Sequence, residues 1–110
     1  MVSKGMKGSL YLAGPMSGVA DFNFPAFNEK AEELRYEGWV VTNPAQFPVH
    51  DGWEWHQYLR VALRALTYCD TIYLLAGWRQ SRGANLEYGV AVGLGMKVLM
   101  EGDSDQIPLA

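Results

Sequence analysis

Short apolar runs alternate with stretches of helical periodicity along most of the chain. Residues 10–13 (LYLA) form the first run, closed by Gly14-Pro15, and are predicted to be a strand. Residues 25–36 place Phe27, Ala31 and Leu34 on one face and Glu29, Lys30, Glu32, Glu33 and Arg35 mostly elsewhere, which predicts an amphipathic helix stopped at Gly38. A second strand is predicted at 39–41, ended by Asn43-Pro44. Residues 55–67 give a second helix, with Trp55, Leu59, either Ala62 or Leu63, and Leu66 at helical spacing. Residues 71–75 (TIYLL) read most clearly as a strand. Beyond a loop at 77–83, a third helix is expected at 84–95 and a fourth strand at 97–100.

This βαβαβαβ alternation predicts a single-domain α/β protein, a flavodoxin-like or Rossmann-like three-layer sandwich around a parallel sheet of order 2-1-3-4. The domain is expected to span 8–101, with 1–7 and 102–110 as flexible termini. In such a sheet the crevice lies outside the carboxyl ends of strands 1 and 3, where the strand order reverses. Topology alone therefore brings the loops at 14–18 and 77–83 to one place.

Composition narrows the function classes. A chain of 110 residues supports one core and no separate substrate domain. With 49% hydrophobic and 19% charged residues it is expected to fold, and a net charge of −3 argues against a nucleic-acid polymer or an anionic membrane as partner. A single cysteine, no secretory signal and no long apolar run point to the cytoplasm, or to the host cytoplasm for a phage-encoded chain. No cofactor is expected.

The segment 81–89 (SRGANLEYG) carries the candidate chemistry. Its small residues precede Glu87, placed by this reading in a first helical turn, where unpaired N–H groups and the helix dipole would keep a nucleophilic carboxylate ionised. The competing reading is a glutamate that only stabilises a helix start. Gly-rich loops at 14–18 and 77–83 together suggest an anion-binding cleft. There is no GxxxxGK[ST] and no GxGxxG between the first strand and its helix, so P-loop and dinucleotide-binding readings are poor. Gly89, Gly93 and Gly95 are assigned to close helix–sheet packing and a helix stop.

Tyr11-Leu12-Ala13-Gly14-Pro15, Cys69-Asp70 and Ser81-x-Gly83-x-x-x-Glu87, in this order, resemble the nucleoside 2-deoxyribosyltransferase superfamily over about residues 10–100. The GPMSG, NFPAFN, CD, GW and SxGAxxE segments are most similar to a compact phage- and bacteria-associated domain family of unassigned function. The resemblance implies Glu87 as nucleophile at C1′ of a nucleoside, with Tyr11 beside it. Ser81 resembles the serine of 2′-deoxynucleoside 5′-phosphate N-hydrolases, where nucleoside transferases carry an acid. It implies a nucleoside 5′-monophosphate, in preference to a nucleoside, as the partner molecule. Ser17, Gly18 and Gly83 would complete a phosphate cradle, with Arg82 or Arg79 as counter-charges, and Gly14, Met16, Phe24 and Trp78 would join the substrate-binding set. The expected reaction is N-glycosidic hydrolysis, with base transfer as a variant. A homodimer or higher homo-oligomer is implied, its sites completed by a neighbouring subunit. A second catalytic acid is also implied at the position of Ala62, which should then face the ligand. Because alanine donates no proton, a nucleotide-binding module without turnover is the alternative.

Other polar and aromatic residues have ordinary explanations. His50, Asp51, Glu54 and His56 match no zinc pattern, and no metal is expected. Asp70 serves either a loop at the site or a turn before the third strand. Cys69 reads as an inert core thiol, Phe27 as core, and Phe22 and Phe24 as lid residues. Trp78 either stacks on a base or covers an oligomer contact.

Overall fold

The computed structural model describes residues 7–102. Four strands, β1 (Gly8–Ala13), β2 (Trp39–Thr42), β3 (Thr71–Leu74) and β4 (Lys97–Met100), form one parallel sheet in the order β2-β1-β3-β4. Three helices connect them, α1 (Phe24–Tyr36), α2 (Trp55–Thr67) and α3 (Arg82–Gly93). Sandwich and strand order agree with the sequence. The expected termini, apart from Lys7 and Gly102, lie outside the described residues. Among the described residues, no helix is long and apolar enough to cross a membrane.

Alternation along β1 decides the layers. Leu10 and Leu12 pack on the α1 side with Phe27, Ala31 and Leu34, whereas Tyr11 and Ala13 pack on the other side with Ala62 and Leu66 of α2 and Ala84 and Ala91 of α3. Because β1 is paired on both edges and covered on both faces, its side chains from Leu10 to Ala13 are almost wholly inaccessible. Full burial of a side chain such as Leu10 or Leu12 is worth about 1.5–3 kcal/mol.

Helix boundaries follow local hydrogen bonding. At the start of α2, the Gln57 Oε1 accepts from the Glu54 N–H at 2.9 Å, and the helix spans the expected residues. α3 starts two residues earlier than expected, because Ser81 Oγ accepts from the Ala84 N–H at 3.1 Å and makes Ser81 the N-cap. Gly95, at φ +72°, takes the left-handed conformation of a helix stop. Gly89 and Gly93 correct the packing expectation. Both are exposed, and a Cβ at either would meet nothing within 4 Å.

At the carboxyl edge the two glycine loops interlock. Leu75 N donates to Ala13 O at 2.8 Å, and a Cβ on Gly14 would stand 2.9 Å from the Leu75 Cβ. Gly77, at φ +86°, sits beside Pro15. The β1–α1 loop then turns at Gly18 (φ +81°) and passes through three consecutive left-handed residues, Asp21, Phe22 and Asn23, with φ between +52° and +61°. Such backbone costs about 1–2 kcal/mol per residue outside glycine. Asn23 Nδ2 anchors the turn by donating to Pro15 O at 2.9 Å.

Two glycine substitutions should therefore act in opposite directions. Gly14→Ala is expected to lose about 1–3 kcal/mol by forcing the loops apart. Gly89→Ala should gain about 0.5–1 kcal/mol by removing backbone entropy from an open helical position. Urea denaturation of both variants checks the pair.

Candidate active site

The loops after β1 and β3 lie against each other at the carboxyl edge of the sheet, and α3, which follows the second of them, brings Glu87 to Tyr11 of β1. Glu87 is the sixth residue of α3, one and a half turns in, so the first-turn expectation is corrected. The field of a helix terminus fades within one turn. Burial dominates instead. Only 7% of Glu87 is exposed, and loss of hydration raises its carboxyl from the ordinary 4.5 to about 7, against the lowering effect of a hydrogen bond from Tyr11. The expectation of a carboxylate kept ionised by the helix dipole thus gives way to one poised near neutrality.

Tyr11, from the centre of β1, donates its phenol to Glu87 Oε2 at 2.7 Å. Burial and then the neighbouring Glu87 charge raise the Tyr11 hydroxyl well above its ordinary range, so it stays a neutral donor. Glu87 has no second hydrogen-bond partner among the described residues. No fully buried side-chain oxygen or nitrogen among them lacks a partner either, so the unpaired Oε1 retains a path to solvent. One oxygen is thereby fixed and the other is left without a hydrogen bond among the described residues.

Donors gather at the start of α3. Ser81 uses its oxygen as the helix cap, which leaves its O–H free to donate. The N–H groups of Arg82 and Gly83 have no acceptor within their own helix. Asn85 Nδ2 fastens the loop below them by donating to Trp78 O, Arg79 O and Ser81 O at 3.3, 3.0 and 2.8 Å. Both guanidinium groups lie over tryptophan rings, Arg79 on Trp78 at 4.8 Å and Arg82 on Trp55 at 4.4 Å. Neither Asn85 nor Trp55 was foreseen at the site. Asn85 could have been suspected from its place four residues after Ser81, but no local pattern joins Trp55 to Arg82.

The other expected residues divide. Gly14 lies inside the loop contact with Leu75, Ser17 and Gly18 are exposed at the turn, and Gly18 has open space around it. Met16 packs with the α1-side core. Phe24 is half-buried against the exposed Phe22, their centroids 5.8 Å apart, and Phe27 is core as expected. Trp78 is 7% exposed, with Tyr88 packed against it at 4.9 Å, so it walls the site from within the core and offers no open stacking face. Ala62 lies on the same side of the sheet as Tyr11. It is buried in the cluster that contains Tyr11, Trp78 and Ala84, and an acid there would lose its hydration.

Asp70 belongs to the opposite edge of the sheet. Its Oδ1 accepts from Ser9 Oγ at 2.6 Å and from Ser9 N at 3.2 Å, and these bonds hold its carboxyl below the usual range. The turn role applies, and the site-loop role does not. Cys69 is half-buried, and desolvation pushes its thiol up. The His50 ring stacks on Trp53 at 4.1 Å, and among the described residues no group of three or more His, Cys, Asp or Glu could hold a metal.

The model of a protein family described as a domain of unknown function (DUF4406) matches residues 8–100. No curated protein matches the chain.

The raised Glu87 carboxyl ties stability to pH. Protonated Glu87 suits the fold, so its contribution is fully present below the unfolded value and is lost as pH rises through about 7. From 4.5 to about 7, at about 1.4 kcal/mol per decade, the loss reaches about 3 kcal/mol. Glu87→Gln should therefore gain in melting temperature over wild type between pH 5 and 8, with the gap levelling off above. Thermal unfolding across that range gives the answer, and a constant gap would contradict the assignment.

Proposed function

The chain belongs to the DUF4406 family, and for it we propose hydrolysis of the N-glycosidic bond of a (deoxy)nucleoside 5′-monophosphate, with Glu87 as nucleophile. The observation that carries the reading is the buried Glu87, tethered through Oε2 to Tyr11 with Oε1 unpaired. The donors at the start of α3 support the phosphate end. Ser81 and Glu87 are separated by six residues, about 9 Å along a helix axis, which sets a phosphate subsite apart from the reacting carbon.

Glu87 Oε1 attacks C1′ as the C1′–N bond breaks, and the base departs with the bonding pair and takes a proton from solvent. Water then attacks C1′ of the glycosyl-enzyme, releasing sugar phosphate and a proton and restoring the carboxylate. Tyr11 keeps the carboxylate in place through both steps. The low-dielectric surroundings strengthen attraction between Glu87 and positive charge developing on the sugar. A second reading, a nucleotide-binding module without turnover, is favoured by Ala62, where the resemblance implies a proton donor. The proposal includes self-association. It draws support from the apolar side chains Leu86 and Val92 of α3, which are 43% and 50% exposed in the single chain.

Free base released from individual nucleoside monophosphates, followed by chromatography, tests the reading. Wild type should release base, and Glu87→Gln should bind the nucleotide and release none. Binding without release by wild type would select the module, and equal release by Glu87→Gln would remove the nucleophile. Tyr11→Phe deletes the hydrogen bond that lowers the Glu87 carboxyl, so the ascending limb of its pH–rate profile should move to higher pH than in wild type. Light scattering at assay concentration should give at least twice the chain mass, and a fully active monomer would exclude the shared site.

A further inference from the structure

We propose that Trp55 is a positioning residue that makes the cleft prefer a 5′-phosphorylated nucleoside, by holding Arg82 and the first turn of α3 in place. The inference rests on the nucleotide reading above and adds a cause for its phosphate preference.

Trp55 opens α2, on a different connection from the phosphate-binding loops, and the Glu54–Gln57 hydrogen bond fixes where that helix begins. From there its indole reaches α3. The Arg82 guanidinium lies 4.4 Å from the ring centroid, and a Cβ at Gly83 would stand 3.8 Å from Trp55 Cζ2, an ordinary contact distance. A single ring therefore rests on the first two residues of α3, whose N–H groups have no acceptor within the helix.

The contact orients Arg82 while leaving donors available. Apart from the indole, the guanidinium has no hydrogen bond or ion pair among the described residues, so its N–H groups remain for bidentate recognition of phosphate. Restricting a long side chain before the ligand arrives also reduces the freedom it loses on binding. The Arg79–Trp78 stack differs in kind. Trp78 is core, 7% exposed, and removing it would disturb the fold, while Trp55 is 39% exposed and its pairing with Arg82 spans two helices. Trp55 is therefore the partner through which the cleft can be altered without emptying its core.

Calorimetric titration with one nucleoside 5′-monophosphate and its parent nucleoside tests the proposal, using Glu87→Gln as the background so that neither ligand is consumed. Trp55→Leu should weaken the monophosphate about two- to fivefold and leave the nucleoside unchanged, and Trp55→Phe should restore most of the difference. In Arg82→Gln the Trp55→Leu change should have no further effect, because the pair acts as one unit. Equal weakening of both ligands by Trp55→Leu, or full additivity with Arg82→Gln, would overturn the assignment of Trp55 while leaving the nucleotide reading intact. Failure of both ligands to bind the background protein and the wild type would remove the nucleotide reading, and this inference with it.

Discussion

The hydrogen bond from Tyr11 to Glu87 joins the most buried strand of the sheet to the one buried charge-bearing side chain of α3. Two opposing influences meet there. Desolvation pushes the Glu87 proton affinity up and the phenol pulls it down, and the result lies near neutrality. A better-solvated carboxylate would ionise well below neutral pH, and a fully enclosed one would stay protonated. The fold reaches the intermediate position by covering Tyr11 on every side and leaving Glu87 one unpaired oxygen.

Everything above this pair concerns how closely two loops can approach. Gly14 lacks the Cβ that Leu75 would strike, and Gly77 adopts a left-handed turn beside Pro15. Asn85 then fastens the second loop to the helix that carries Glu87. The backbone amides at the α3 terminus are thus positioned by packing and by side-chain donors, with no flexible linker between them and the carboxylate.

Much of this was legible in the residues. The apolar runs gave the strands because buried parallel strands are apolar on both faces, and the strand order followed from connection rules. Glu87 stood out after the small residues of 81–85 and Tyr11 only through a resemblance, and the structure brings the two side chains into contact. What escaped notice was tertiary or stereochemical. The cap at Ser81 moved α3 two residues earlier and took Glu87 out of the first turn. The left-handed passage through Asp21, Phe22 and Asn23 has no glycine to announce it. Burial of Trp78 and Ala62 depends on how α2 and α3 meet the sheet, and the Trp55–Arg82 stack joins residues without any shared periodicity. Sequence also cannot distinguish Gly14, where a side chain would collide, from Gly89, where it would find open space.

The separation between Tyr11 and Glu87, 76 residues in the chain, has a consequence for folding. β1 is flanked by β2 and β3, so its second edge is satisfied only when residues beyond 70 have joined the sheet. Contacts between such distant residues form slowly, since loop closure precedes the gain from packing. During synthesis Tyr11 emerges long before its acceptor, and chains that stop short of α3 contain the phenol without the carboxylate. The Tyr11–Glu87 hydrogen bond is accordingly a late product of folding, and a chain that ends before α3 leaves the phenol without its acceptor.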